Sequence, residues 1–247
     1  MKHYLITQWN CDLYDLTWLQ RRQKVFERFT LPSVEAQSNK NFEWLLISDS
    51  RTPDKFKNVL DKYPATVIYH DFENYEWKTS NVNLTEFKPI MQFALRLEFI
   101  GDIVAGAIGQ QDTDYIITSR CDNDDMIASE HIDRIQKEAK SLYKNRETDK
   151  FWLSLVRGYR WKEDKMYPFN STYNSFLSFV ENPENLQTCY QCSHVLAKVS
   201  EYPTHGVRSG AATWSEVIHE NNVMNRVKRR RGEKSAAEEQ CRFNWKN

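Results

Sequence analysis

Strand-like and helix-like segments alternate over the first 156 residues of this 247-residue chain, and this alternation constrains its fold most strongly. Short apolar runs predict strands at residues 3–8, 43–49, 65–70, 115–119 and 151–156. Helical spacing of apolar residues follows at 18–29, 53–60 and 84–107, and after Ser129, which is the expected N-cap of the next helix. This order predicts an α/β fold whose mainly parallel central sheet is flanked by helices on both faces. Beyond residue 157 we expect aromatic, polar loops.

Acidic residues follow two of the predicted strands, at the edge where such sheets bind ligands. Asp49 ends the second strand, and Asp122-Asn123-Asp124-Asp125 follows the fourth. Three carboxylates within four residues repel one another, and a divalent cation that also binds phosphate oxygens would relieve this repulsion. From spacing alone, a metal–phosphate site and a solvated acidic loop that caps the next helix are equally open. Asp49 by itself is more typical of a turn or a helix cap than of a nucleoside contact.

Composition and missing motifs exclude several classes of protein. Lys+Arg and Asp+Glu both number 34, so the formal net charge is zero and a general nucleic-acid coat is disfavoured. We find neither an apolar run long enough to span a bilayer nor a signal-peptide pattern, and the five cysteines are an odd number. We therefore expect reduced thiols and a cytoplasmic protein. The chain lacks both a Gly-rich phosphate loop after the first strand and a G-x-G-x-x-G motif, which disfavours a nucleotidyltransferase and a Rossmann oxidoreductase.

The succession of strand–Asp49 and strand–Asp122-x-Asp124 resembles the GT-A (Rossmann-like) nucleotide-sugar glycosyltransferases, with Asp122-x-Asp124 as their DxD motif. More narrowly, the chain resembles the putative rhamnosyltransferase family, a branch close to the inverting family 2 enzymes. Four blocks carry this resemblance: FERFTLPSV at 26–34 with Gln37, FEWLLISDSRTP at 42–53, ITSRCDNDD at 117–125 and WSEVIHENNV at 214–223. The last block departs from the family pattern W-L-Q-V-x-H-G-x-N at Ser215, Glu216 and Glu220. We expect one GT-A domain over residues 1–225 and a charged tail over 226–247.

The resemblance implies roles for individual residues. The residues that would bind the donor nucleotide are Asp49, Arg120, Asp122 and Asp124. Those that would hold Mn²⁺ or Mg²⁺ are Asp122, Asp124, Asp125 and His219. An inverting transfer also needs a base to deprotonate the acceptor hydroxyl. Three acids compete for this role: Glu181, Glu216 and Glu220.

These roles predict a metal-assisted, inverting glycosyltransferase of polysaccharide biosynthesis. It would move a sugar, with rhamnose as one candidate, from a nucleoside-diphosphate donor to a hydroxyl of a glycan or glycoconjugate. One alternative is a non-catalytic glycan- or nucleotide-binding protein on the same fold. The other is a metal-dependent nucleotide-sugar hydrolase or nucleotidyltransferase.

Two further sequence features lie outside these motifs. The basic run at residues 226–231 could contact anionic lipid as a peripheral membrane contact, a diphosphate or nucleic acid, or it could be a solvated tail. Cys189 and Cys192 with His194 suggest zinc, but a zinc site needs about four ligands and the chain has no second pair. We therefore expect buried or loop thiols.

Overall fold

A seven-stranded sheet forms the centre of the protein in a computed structural model that describes residues 1–11, 13–72, 99–145, 148–219 and 234–245. In spatial order its strands are β10 (Thr204–Val207), β6 (Lys150–Leu155), β9 (Ser178–Glu181), β4 (Ile116–Arg120), β1 (Lys2–Asn10), β2 (Glu43–Asp49) and β3 (Thr66–His70). Neighbouring strands run parallel except for β9, which is antiparallel to both β4 and β6. The predicted α/β fold with a mainly parallel sheet is therefore confirmed.

Helices cover both faces of this sheet. They are α1 (Leu16–Val25), a π-helical turn (Phe26–Thr30), α2 (Leu31–Glu35), α3 (Asp54–Leu60), α4 (99–108) and α5 (His131–Lys144). Successive side chains of β1 point to opposite faces of the sheet. Leu5 packs in one apolar cluster with Phe26 and Ile132, whereas Ile6 packs in another cluster with Val104. Burial on both faces explains why these strands are continuous apolar runs in the sequence.

The helix boundaries differ from the predictions at two places. The predicted helix over 18–29 is divided, because α1 passes into the π-helical turn at Phe26 before α2 begins. Ser129 does not cap α5; the cap position is Glu130, and the Ser129 hydroxyl lies 3.3 Å from the Glu130 carboxylate instead. Most of the predicted helix over 84–107 lies outside the described residues, which resume at residue 99, the first described residue of α4.

The expectation of loops after residue 157 is wrong, because that part of the chain builds most of a second sheet. Its order is β12 (Lys234–Ser235), β8 (Lys165–Asn170), β7 (Arg157–Lys162), β11 (Trp214–Val217) and β5 (Met126–Ile127). β7 and β8 form a hairpin whose two turn residues, Glu163 and Asp164, both have positive φ angles. Such turns usually contain Asn or Gly. Because this turn contains neither Asn nor Gly, the sequence does not indicate a hairpin here, and the segment was predicted as a loop.

The charged tail ends in helix α6 (Ala236–Phe243). Phe243 and Trp245 are buried in a third apolar cluster with Phe29, Tyr159 and Trp161, so these two residues pack against the second sheet. The basic run at 226–231 lies outside the described residues. None of the helices in the described ranges is both long enough and apolar enough to cross a membrane.

Trp214 of β11 belongs to the apolar core cluster, and its indole ring lies directly against Gly158 of the neighbouring strand β7. A Cβ atom on Gly158 would lie 2.2 Å from the indole ring, which is fully buried and stacked on Phe176 with ring centroids 5.2 Å apart. We expect Gly158→Ala to lower the free energy of unfolding by about 3 kcal/mol, because backbone and a packed ring must both shift. Urea unfolding measures this effect.

Gly106→Ala is the matched control for this substitution. A Cβ atom there meets nothing within 4 Å, and the residue lies in helix α4. Its stability is expected to rise by about 0.5–1 kcal/mol, because alanine loses less backbone entropy in a helix than glycine does. Equal stability of Gly158→Ala and the wild type would contradict the packing described here.

Candidate functional site

The acidic residues singled out in the sequence lie at the carboxyl ends of neighbouring strands. Asp49 ends β2, and the loop from Asp122 to Asp125 follows β4, with β1 between the two strands. A cleft of about 230 Å³ opens here. Its lining residues are Gln8, Trp9, Asn10, Cys11, Leu13, Trp18, Arg22, Arg120, Asp122, Asn123 and Asp124. The parallel topology therefore places the DxD-like loop at the edge where ligands of α/β sheets bind.

Asp124 is the most tightly held carboxylate of the loop. Its Oδ2 atom lies 2.6 Å from Arg22 Nη1 and 2.9 Å from His219 Nε2, and its side chain is 14% exposed. Burial alone would raise the pKa of this carboxyl. The hydrogen bond from His219 and the charge of Arg22 outweigh burial and lower the pKa below its usual value. Asp124 is thus ionised and joins α1 to the segment that follows β11.

The other two aspartates of the loop face different surroundings. Asp122 points to the cleft with 38% of its side chain exposed, and its Oδ1 atom is 3.7 Å from Arg120 Nη2. Asp125 is buried, and its Oδ1 atom accepts a hydrogen bond of 3.0 Å from the backbone N–H of Val217. Burial and the neighbouring carboxylates raise the pKa of Asp125 well above its usual value. Asp125 fastens the loop to β11 rather than lining the cleft, so we do not retain it among the proposed metal ligands.

Several buried donor atoms at the cleft are unpartnered within the described ranges. They are Nε and Nη1 of Arg120, Nε2 of Gln8 and Nε1 of Trp9. Arg120 is 5% exposed, and its guanidinium carbon lies 4.6 Å from the centre of the Tyr190 ring. Buried donors without acceptors are costly, and a ligand rich in acceptor oxygens would satisfy them. The cleft is therefore suited to an anion such as a diphosphate.

Asp49 is fully buried, and its carboxylate holds Tyr14 and Arg51 by hydrogen bonds. Its Oδ1 atom accepts hydrogen bonds from the backbone N–H and Nε of Arg51, at 2.8 and 3.3 Å, and its Oδ2 atom accepts one from the Tyr14 hydroxyl. The Arg51 guanidinium lies over the Tyr14 ring, 4.3 Å from its centre. Arg51 and Tyr14, rather than Asp49 itself, present accessible surface. Neither Arg51 nor Tyr14 was predicted from the sequence as a site residue, although Arg51 lies within the block at 42–53.

The three candidate bases occupy different places. Glu181 pairs with Ile116 at the start of β4, whereas the acidic loop follows the end of β4, so the two lie at opposite ends of this strand. Its buried carboxylate accepts backbone hydrogen bonds from Gln187 and Thr188, at 3.0 and 2.9 Å. Glu181 is therefore not at the cleft, and its assignment as a base is dropped. Glu220 lies outside the described residues.

Glu216 remains as the candidate base within the described structure. It lies on β11, and its Oε2 atom accepts a hydrogen bond of 2.7 Å from Arg160 Nε. Burial raises the pKa of Glu216; the nearby Asp122 and Asp124 act in the same direction, and Arg160 opposes them. The side chain is 8% exposed. A carboxylate with a raised pKa next to the acidic loop has the properties of a general base.

The described residues contain no cluster of three or more His, Cys, Asp or Glu side chains that could hold a metal ion. The five cysteines, all within the described ranges, are thiols rather than disulfides, and Cys189 is buried with its backbone N–H donating to the Thr118 hydroxyl at 2.8 Å. These findings agree with the expectation of buried or loop thiols at Cys189 and Cys192.

A model of the family described as "Putative rhamnosyl transferase" matches residues 2–231. The solved structure of S. aureus TarS 1-349 aligns at 15% identity with a TM-score of 0.42, covering 88% of this chain and 60% of that chain. The inositol-1-phosphate CTP transferase of T. maritima aligns at 13% identity with a TM-score of 0.38, covering 87% and 89%. The chain thus spans 60% of the length of the TarS fragment, which is less than two thirds. The comparison with curated proteins gives no match.

Proposed function

Because the chain belongs to the putative rhamnosyl transferase family, its class is that of a glycosyltransferase, and we propose that it uses a nucleoside-diphosphate sugar as donor. The acceptor would be a hydroxyl of a glycan or glycoconjugate. The observation that carries this proposal is the cleft itself, which is lined by Asp122 and Asp124 together with Arg120, Gln8 and Trp9, three residues with unpartnered buried donor atoms. The family description makes rhamnose the first sugar to test.

A divalent cation, Mn²⁺ or Mg²⁺, is part of this proposal. The chemistry of the donor set supports it, because the carboxylates of Asp122 and Asp124 and the imidazole of His219 are oxygen and nitrogen ligands that suit these ions. When bound, the ion would neutralise charge on the departing diphosphate. Arg120 would donate hydrogen bonds to the same diphosphate from its unpartnered Nε and Nη1 atoms.

Glu216 is the proposed base. Its carboxylate would take the proton from the acceptor hydroxyl as the hydroxyl oxygen bonds to the sugar, while the bond from the sugar to the diphosphate breaks on the opposite side. This geometry inverts the anomeric centre. Action in the cytoplasm and membrane contact through residues 226–231 remain predictions from the sequence.

Thermal unfolding with nucleotides tests the donor site. Samples would contain UDP, GDP, dTDP or CDP, each with and without Mn²⁺. One nucleotide is expected to raise the free energy of unfolding by about 2.7 kcal/mol at a hundredfold excess over its dissociation constant, and more strongly with the metal. The responding nucleotide then identifies the nucleotide sugars to use in a turnover assay. No shift with any nucleotide in a folded sample would contradict the proposal and favour a non-catalytic glycan-binding protein.

A further inference from the structure

Arg22 on helix α1 already supplies a positive charge to the acidic loop. Its Nη1 atom lies 2.6 Å from Asp124 Oδ2 and 2.9 Å from Asn123 Oδ1. Its guanidinium carbon is 5.0 Å from the centre of the Trp18 ring, one turn earlier on the same helix. With 13% of its side chain exposed, Arg22 is held by packing as well as by charge.

These contacts occupy the carboxylate that the proposed metal site needs. Asp124 Oδ2 carries the Arg22 guanidinium and also the His219 imidazole at 2.9 Å. A divalent cation on this oxygen would lie next to the guanidinium, and two cations at such a distance in a poorly hydrated cleft repel strongly.

We infer that Arg22 is a built-in counter-ion of Asp124 that a divalent cation must displace. The side chain would then set the metal concentration at which the donor site forms, and would keep Asp124 paired when the metal is absent. This inference rests on the proposed metal at Asp124. It adds a regulatory contact in which a helix on one face of the sheet controls access to the acidic loop.

Metal titration of the full chain without nucleotide tests this inference. Free Mn²⁺ is followed by its electron paramagnetic resonance signal, which disappears when the ion binds. Arg22→Met removes the competing charge and is expected to bind Mn²⁺ at least about tenfold more tightly than the wild type. Arg21→Met is the matched control: it removes the same charge one residue earlier from an exposed position, and its Mn²⁺ affinity should stay close to the wild-type value.

The outcomes separate this inference from the proposed function. Unchanged or weaker Mn²⁺ binding by Arg22→Met would overturn the counter-ion role and leave the donor site as proposed. If no variant binds Mn²⁺ while a nucleotide still shifts thermal unfolding, the metal and this inference both fail, but the nucleotide site stands. If the far-ultraviolet circular dichroism of Arg22→Met differs from that of the wild type, the titration is repeated with Arg22→Gln, which is a smaller change in polarity.

Discussion

Asp124→Asn is expected to lower kcat/KM for sugar transfer by at least about a hundredfold. The substitution keeps the size of the side chain and removes the negative charge that faces Arg22 and His219. It would weaken the proposed metal site and leave the Arg22 guanidinium without its ionic partner. Release of the nucleoside diphosphate from the responsive nucleotide sugar measures the effect. Losing one partner of a buried pair also costs about 3–5 kcal/mol of stability, so unfolding must be measured in parallel.

Asp133→Asn is the control for this experiment. Asp133 lies on helix α5, where its carboxylate pairs with Lys137 four residues later at 2.7 Å. Such exposed pairs contribute little to stability, and we expect the activity of this variant to equal that of the wild type. A folded Asp124→Asn variant with unchanged kcat/KM would contradict the assignment of the cleft to the donor.

The central sheet was predictable because its signals are local. The run at 43–49 has the same bounds as β2, since a strand buried on both faces needs a continuous apolar sequence and ends where polar residues begin. Parallel strands also place their carboxyl ends at one edge. The sequence therefore predicted, without any knowledge of side-chain contacts, that Asp49 and the loop from Asp122 to Asp125 would both follow the carboxyl ends of strands of the sheet.

The second sheet was not predictable by the same reasoning. β11 pairs in parallel with β7 and antiparallel with β5, so its three strands come from distant parts of the chain. The four residues of β11 are apolar, polar, polar and apolar in order, so they lack the alternation of a half-buried strand and are too few to indicate one. The β7–β8 turn lacks glycine and asparagine, which removed the remaining local signal.

The partners of the acidic loop were missed for a related reason. Arg22 contacts Asn123 across 101 positions of sequence, and Tyr14 reaches Asp49 across 35. On a helix such as α1, an arginine that points to the site and one that points to solvent look alike in the sequence. Only tertiary packing distinguishes Arg22 from Arg21.

Placement of the three acids also changes what is expected of Glu216. Glu181 lies beside the start of β4, at the end away from the acidic loop. Glu216 is therefore the candidate base that the described structure brings next to Asp122 and Asp124. Val217, the next residue, is tied to Asp125, so the acidic loop and Glu216 are held in fixed register. A base must be positioned relative to the leaving group, and this connection provides that positioning.

Glu216→Gln is expected to lower kcat by about 10²–10⁴-fold with a small effect on KM for the donor, because the amide cannot accept the proton of the acceptor hydroxyl. The pH profile gives a second readout. A base acts when deprotonated, so kcat/KM rises with pH through its pKa. Burial raises the pKa of Glu216, which moves this limb above the range of an ordinary glutamate. The limb should be absent from Glu216→Gln.

Two further variants distinguish a base from a residue that only positions Arg160. Ser215→Ala, next to Glu216 on β11, removes a hydroxyl that contacts the Met166 sulfur at 3.7 Å and should retain full activity. Arg160→Met removes the hydrogen-bonded cation that lowers the pKa of Glu216, so the acidic limb should move to higher pH if Glu216 is the base. The base assignment is contradicted if the acidic limb of the pH profile does not move in Arg160→Met and is still present in Glu216→Gln. Another group would then take the proton, and Glu216 would only position Arg160.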